Sequence, residues 1–141
     1  MKNKTQFFKD IVYRIAQQSE CLSRQVGCIV VKDRRIVAEG WNAPPKKTDV
    51  ASCQRCNKPH VSGQNLEQAL CAHAEINAIS SAAYLGYSIK DAELYCTVKP
   101  CAECMKAIIA CGIKNVYFFE DYETLYTDLF AANASVGLHK L

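Results

Sequence analysis

Apolar residues recur at Phe7, Phe8, Ile11, Val12, Ile15 and Ala16, the i, i+3, i+4 spacing that puts one stripe on a helix. This predicts an amphipathic first helix ending near Ser19. Two β-branched runs follow, Val26–Val31 and Arg35–Trp41, around Asp33-Arg34, and they read as a hairpin. From about Ala43 to Glu67 the chain is poorly apolar. That stretch reads as a long functional loop. Ala74–Leu85 is rich in Ala and Ile and stops at Gly86, which suits a helix with a glycine C-cap. The pattern then predicts a strand over Glu93–Val98, a helix over Ala102–Cys111 stopped by Gly112, a strand over Asn115–Phe119 and a helix over Tyr122–Ala132. Helices alternating with strands argue for an α/β fold with helices on both faces of the sheet.

Length and composition fix the scale. The 141 residues, half of them hydrophobic, fit one domain spanning 1–141 with its own core. Net charge is +3, too mild for a polyanion-coating protein and too balanced for an acidic disordered tail. Nine cysteines are the unusual feature. No apolar run after Met1-Lys2-Asn3-Lys4 resembles an export signal, and no stretch approaches a membrane span. A cytoplasmic location with reduced thiols is therefore expected, which leaves metal ligands, a reactive thiol, or small core residues as roles for cysteine. Cys28, Cys96 and Cys111 fall in strands or on an inner helix face and are expected to be core filler.

The chemistry gathers in two short segments, His73-Ala74-Glu75 and Pro100-Cys101-Ala102-Glu103-Cys104. Cys101 and Cys104 are three apart, so a helix points both from one face, and a helix N-terminus favours thiolates. His73 from another helix would be the third ligand of a tetrahedral Zn²⁺ whose fourth position stays open to water, the pattern of a catalytic site. Such a metal lowers the pKa of bound water to about 7. Glu75, two residues from His73, would move the protons. His-x-Glu with Pro-Cys-x-x-Cys is the recurring signature of zinc nucleobase deaminases.

With those motifs in view, the chain resembles the cytidine deaminase superfamily, and within it the deoxycytidylate (dCMP) deaminases of bacterial and phage type. His73-Ala74-Glu75-Ile76-Asn77-Ala78-Ile79 and the Pro-Cys-x-x-Cys segment carry the resemblance; Cys21–Gly27 and Glu39-Gly40-Trp41-Asn42-Ala43 support it. Trp41 stands where the family has Tyr, and Ala43 where it has a second Gly; a Cβ at Ala43 narrows that turn. The resemblance implies a three-layer α/β/α cytidine deaminase-like fold with a central mixed sheet of about five strands. It implies hydrolysis of dCMP to dUMP and ammonia, feeding dTMP synthesis. His73, Cys101 and Cys104 take the zinc-ligand roles and Glu75 the proton shuttle. Arg24, Asn42, Ala74 and Tyr122 take substrate-contact roles, with Asn42 at the sugar hydroxyl and Arg24 near the phosphate. A homo-oligomer, often a hexamer, with dCTP and dTTP as effectors is also implied.

The loop over 43–72 holds a second Cys-x-x-Cys, Cys53-Gln54-Arg55-Cys56, with His60 four residues on and Cys71 before the catalytic helix. Members of the family carry a second zinc, and Cys21 and Cys53 match positions that hold it. The expectation is a structural Cys₄ site of Cys21, Cys53, Cys56 and Cys71, with His60 as the substitute ligand, tying the loop down. Between Arg24 and Lys58 eight basic residues face three acidic ones, a region suited to an anionic ligand. The rivals are deaminases of a free base, a nucleoside, a riboflavin precursor or a single-stranded nucleic acid, and a non-enzymatic zinc-binding module. The loop has no aromatic residue on which a strand could stack, which disfavours nucleic acid, and metal binding alone does not need Glu75.

Overall fold

The computed structural model describes residues 1–21 and 23–141; Leu22, inside the Cys21–Gly27 segment, lies outside the described residues. Five strands form one sheet in the order β2-β1-β3-β4-β5. β1 (Gly27–Lys32) pairs antiparallel with β2 (Arg35–Trp41) and with β3 (Glu93–Val98), while β4 (Asn115–Glu120) and β5 (Gly137–Lys140) continue parallel to β3. The hairpin is the predicted one, turning on Asp33 and Arg34 with both backbones left-handed.

Helix α1 (Lys4–Ala16) begins earlier than its apolar stripe because the Asn3 side chain accepts the Gln6 amide, and it ends three residues short of Ser19. Its Phe8 and Val12 pack with Ile29, Val31 and Tyr95 on one face of the sheet. On the other face α2 (Ala74–Leu85), α3 (Ala102–Ala110) and α4 (Leu125–Asn133) cover Cys28, Val30, Leu94, Cys96 and Val116. Alternation along β1 therefore splits its residues between two cores, as a two-sided sheet requires. Cys28 and Cys96 lie opposite each other on β1 and β3, buried, with sulfurs 3.5 Å apart. They are packing residues. Cys111 is half-buried, its thiol turned onto the Ile108 carbonyl.

Toward the C-terminus one more boundary and one whole element differ from the pattern-based expectation. The fourth helix starts at Leu125 rather than Tyr122, because Thr124 takes the N-cap position in an extended backbone; Tyr122 lies in the connection before it. β5, Gly-Leu-His-Lys, went unpredicted since four residues with a glycine and no β-branched run give no strand signal. Its parallel ladder on β4 creates it.

What matters for the site is how closely α2 sits on β2. Ala74, Ala78 and Ala82 recur every fourth residue, each buried, and Gly40 lies beneath the first two. A Cβ there would overlap the Ala74 carbonyl oxygen and the Ala78 amide, and would stand 2.9 Å from the Asn77 carbonyl carbon. The Asn77 side chain donates to the Trp41 carbonyl at 2.8 Å, fixing the N-terminal half of α2 over the turn after β2. The loop over 43–72 is closed at its base by reciprocal backbone bonds between Ala43 and Ala72, and it holds two single 3₁₀ turns, Val50–Ser52 and Leu66–Gln68.

Candidate metal centre

Two helix N-termini converge on one point. His73 is the N-cap of α2 and Cys101 the N-cap of α3, and neither side chain makes a capping hydrogen bond. An N-cap side chain ordinarily accepts an orphan amide; here both are turned toward each other. His73 Nδ1 lies 3.2 Å from Cys104 Sγ and 3.5 Å from Cys101 Sγ. It is the one group of three or more His, Cys, Asp or Glu among the described residues whose ligand atoms all lie within 4.8 Å of one another. Zinc bonds of about 2.05 Å to nitrogen and 2.3 Å to sulfur at the tetrahedral angle give an N···S edge of about 3.6 Å. The donor set therefore fits zinc in both chemistry and spacing.

Electrostatics point the same way. The Cys104 thiol, and then His73, draw the Cys101 thiol down to about 4. Cys104 is pushed the other way by the Cys101 sulfur, by burial and by Glu75. His73 is raised by its bond to Cys101, against its partial burial. Two adjacent thiols cannot both ionise cheaply with only protons to neutralise them; a divalent cation allows it. Glu75 is 4% exposed, and burial holds its carboxyl above the ordinary range. Its Oε2 accepts from the Cys104 thiol at 3.6 Å. A dry carboxyl beside, but outside, the three-ligand set is equipped to exchange protons rather than to ligate.

The ligands open onto a cavity of about 510 Å³ whose lining includes Arg24, Asn42, Ala74 and Tyr122 together with His73, Glu75 and Cys101. Two of these side chains, Asn42 and Arg24, are engaged in ways the sequence did not indicate. Asn42 accepts from the Val26 amide at 2.8 Å and donates to the Arg24 carbonyl, so it holds the segment that carries Arg24. The Arg24 guanidinium donates to Glu120 at 3.3 Å, and Tyr13 donates to the same carboxylate at 2.6 Å. Glu120 is 96 residues from Arg24, and no local pattern could have paired them. Lys99 also lines the cavity, held by Asp128 at 2.6 Å. Thr127, buried in α4, donates to the Pro100 carbonyl at 2.9 Å, bracing the turn that presents Cys101.

The loop cysteines gather nearby, less tightly. Cys21 and Cys56 have sulfurs 3.9 Å apart. The Cys56 and Leu70 amides both donate to Cys53 Sγ at 3.3 Å. Burial opposes ionisation of Cys53, but these donors bring it to about 7. Cys21 is lowered too, its burial outweighed by the Ser23 and Arg24 amides. Cys56 and Cys71 are raised, to about 11 and about 12, by burial and by the neighbouring sulfurs. His60 is turned elsewhere: its Nδ1 meets the Lys58 carbonyl and its Nε2 the Ser23 hydroxyl, both at 2.9 Å.

Comparison with known proteins agrees with this geometry. The family model described as the cytidine and deoxycytidylate deaminase zinc-binding region matches residues 2–120. The deoxycytidylate deaminase of Schizosaccharomyces pombe is 34% identical over 119 residues, covering 82% of this chain but 37% of that protein. This chain thus spans little more than a third of that yeast relative's length. The phage T4 deoxycytidylate deaminase is 33% identical over 146 residues, covering 80% of this chain and 76% of that one. The solved dCMP deaminase of cyanophage S-TIM5, in complex with dCMP and dUMP, superposes with a TM-score of 0.83 at 29% identity, over 100% of this chain and 99% of that one. The sheet order, the two converging helix N-termini and the matched region lead to one assignment: this chain belongs to the cytidine and deoxycytidylate deaminase family.

Proposed function

We propose that this protein hydrolyses the 4-amino group of dCMP, giving dUMP and ammonia and supplying a thymidylate precursor. The observation that carries this reading is Glu75, a buried carboxyl set beside a three-ligand metal group in a cavity with basic lining. His73, Cys101 and Cys104 would hold the zinc. When bound, zinc supplies the Lewis acid that makes water nucleophilic near neutral pH. Glu75 takes a proton from the attacking water and delivers it to the ring nitrogen beside C4. It then passes the second proton to the departing amine as the C4–N bond breaks. Desolvation suits Glu75 to this work, since a carboxyl whose affinity for protons is raised can hold one between the two transfers. The named substrates of the yeast and phage relatives support dCMP over a free base. The test is ammonia release from dCMP, deoxycytidine, dCTP and cytosine; activity greatest on deoxycytidine, with no gain from the phosphate, overturns the substrate assignment.

The same reading places a second, structural zinc among Cys21, Cys53, Cys56 and Cys71. Two backbone amides aimed at Cys53 Sγ support it, because a sulfur that accepts two N–H groups behaves as a thiolate. Metal analysis is expected to give two zinc per chain and one in Cys53→Ser; equal content in both refutes it. Assembly into a homo-oligomer, with dCTP and dTTP as effectors, belongs to this reading as well. The exposed Leu125, Tyr126 and Leu129 of α4 offer apolar surface for assembly. Among the described residues no helix is long and apolar enough to cross a membrane.

A further inference from the structure

Asn77, the fourth residue of α2, faces three main-chain oxygens at once. Its Nδ2 lies 2.8 Å from the Trp41 carbonyl, 3.3 Å from that of Ala72 and 3.4 Å from that of Ala43. A carbonyl oxygen only accepts, so the nitrogen end of the side-chain amide must point there, and its two protons serve three acceptors. The shortest contact takes one proton; Ala72 and Ala43 share the other. The main-chain amide of Asn77 donates in turn to the His73 carbonyl at 3.0 Å.

These oxygens belong to two sides of the cavity. Ala72 leads directly into His73, whereas Trp41 and Ala43 flank Asn42. Asn42 carries the connection onward, because its side chain accepts from the Val26 amide and donates to the Arg24 carbonyl, and Val26 and Asn42 both line the cavity. The two sides are not held alike. His73 and Glu75 begin a helix that rests on Gly40 through main-chain contact, and that packing does not involve the Asn77 amide. Residues 41–43, at the end of β2, are each half-buried and are placed by hydrogen bonds: Asn77 on the Trp41 and Ala43 carbonyls, and the Ser19 hydroxyl on the Asn42 carbonyl at 2.7 Å. Loss of the Asn77 donor is therefore felt at the turn more than at the metal ligands.

We propose that Asn77 is a positioning residue: it sets where Asn42 stands relative to the metal ligands, and through Asn42 it governs how tightly the nucleotide binds. This rests on the reading that Asn42 meets the substrate. Asn77 touches no reacting atom in this account. Its part is to make the start of α2 and the turn after β2 one unit, so that the group that binds the nucleotide and the group that attacks it keep a fixed separation.

The experiment measures KM and kcat for dCMP, with zinc per chain, in the wild type, Asn77→Ala, Asn77→Asp, Asn77→Ser, Asn42→Ala and the double variant Asn77→Ala with Asn42→Ala. Alanine is the better helix former, so Asn77→Ala removes the donor without weakening α2 itself. KM is expected to rise about 3- to 10-fold in Asn77→Ala, the worth of a hydrogen bond, with kcat and zinc near wild type. Asn77→Asp should raise it further, since it sets an oxygen against three carbonyl oxygens, and Asn77→Ser should recover part of the loss through its hydroxyl. The double variant should bind dCMP no worse than Asn42→Ala alone, because the route through Asn42 is already cut. A residue that served the fold alone would reduce the active fraction, lowering kcat per chain at unchanged KM; that result, or KM losses that multiply in the double variant, overturns the proposal. Should Asn77→Ala fail to fold, Asn77→Ser reads the same KM. An Asn42→Ala protein with wild-type KM instead defeats the reading of Asn42 as a substrate contact, and the proposal falls with it.

Discussion

Gly40→Ala tests the link between packing and chemistry directly. The new methyl would sit against backbone, with the Ala74 carbonyl and the Ala78 amide overlapped and the Asn77 carbonyl carbon at 2.9 Å. Ordinary carbon contacts lie at about 3.5–4.0 Å, so α2 must lift from β2 by roughly 0.6–1 Å. No side-chain rotation relieves it, because every atom named is main chain. Overpacking of this kind costs about 1–3 kcal/mol, and the upper end is expected here, a fall in Tm of about 5–10 °C. The lifted helix begins at His73 and carries Glu75 in its first turn. Misplacement by about 1 Å costs on the order of 10²-fold in rate. Gly27→Ala is the control: its methyl would meet the Ala16 amide nitrogen at 2.7 Å, pushing on α1, which supplies no ligand. Scanning calorimetry and the ammonia assay at a temperature where both variants stay folded separate the effects. Equal stability loss with a much larger activity loss in Gly40→Ala is the expected result. A Gly40→Ala protein with wild-type Tm and turnover would refute the packing argument, and equal activity losses in the two variants would refute the route through α2.

Three further outcomes follow from the same geometry. Glu75→Gln should keep its zinc, read by emission spectrometry, yet lose about 10²–10⁴-fold in kcat; retained turnover removes the proton-shuttle role. Thr127→Val deletes the bond to the buried Pro100 carbonyl and should weaken zinc binding about tenfold, as loss of an outer brace does, measured by competition with a chromophoric chelator; an unchanged affinity means the turn before Cys101 holds without it. Burial and the Glu120 carboxylate raise Tyr13 to about 12, above the ordinary value of about 10. The folded state therefore holds that proton where the unfolded state releases it, and this contribution to stability, complete below pH 10, is lost as pH climbs to 12. Urea titrations should be less steep in pH over that window for Tyr13→Phe, and identical slopes would show that Tyr13 does not contribute.

Sequence pattern captured what is local. The stripe on α1, the hairpin, the glycine stops after α2 and α3, and the two ligand segments are all near-neighbour features. So was the metal set, because its spacing is fixed by two short motifs. What escaped was decided between distant elements. β5 exists because β4 offers it a parallel edge, not through the propensity of Gly137–Lys140. Tyr122 fell outside α4 because Thr124 competes for the N-cap position. The Arg24–Glu120 and Lys99–Asp128 pairs, and the turning of His60 from the cysteines toward Ser23, join residues whose nearness only the folded sheet creates.

The placement of His73 and Cys101 also shows how fold and chemistry compete for the same atoms. Both occupy N-cap positions, where Ser, Thr, Asp or Asn would bind an orphan amide, and both leave that bond unmade. Each missing cap costs about 1 kcal/mol, a noticeable share of the 5–15 kcal/mol that holds a domain together. Apparent binding of zinc to structural sites is worth about 10–16 kcal/mol, which outweighs two caps several times over even after discounting for an open coordination position. The helix dipoles are not lost by this arrangement: both positive ends face the thiolates. With only protons to neutralise them the two sulfurs cannot both ionise cheaply, and the pair displaces the thiols in opposite directions, Cys101 down and Cys104 up. The two N-cap positions thus cost the fold locally what metal ligation returns, and the close contact between Gly40 and α2 holds His73 and Glu75 in register.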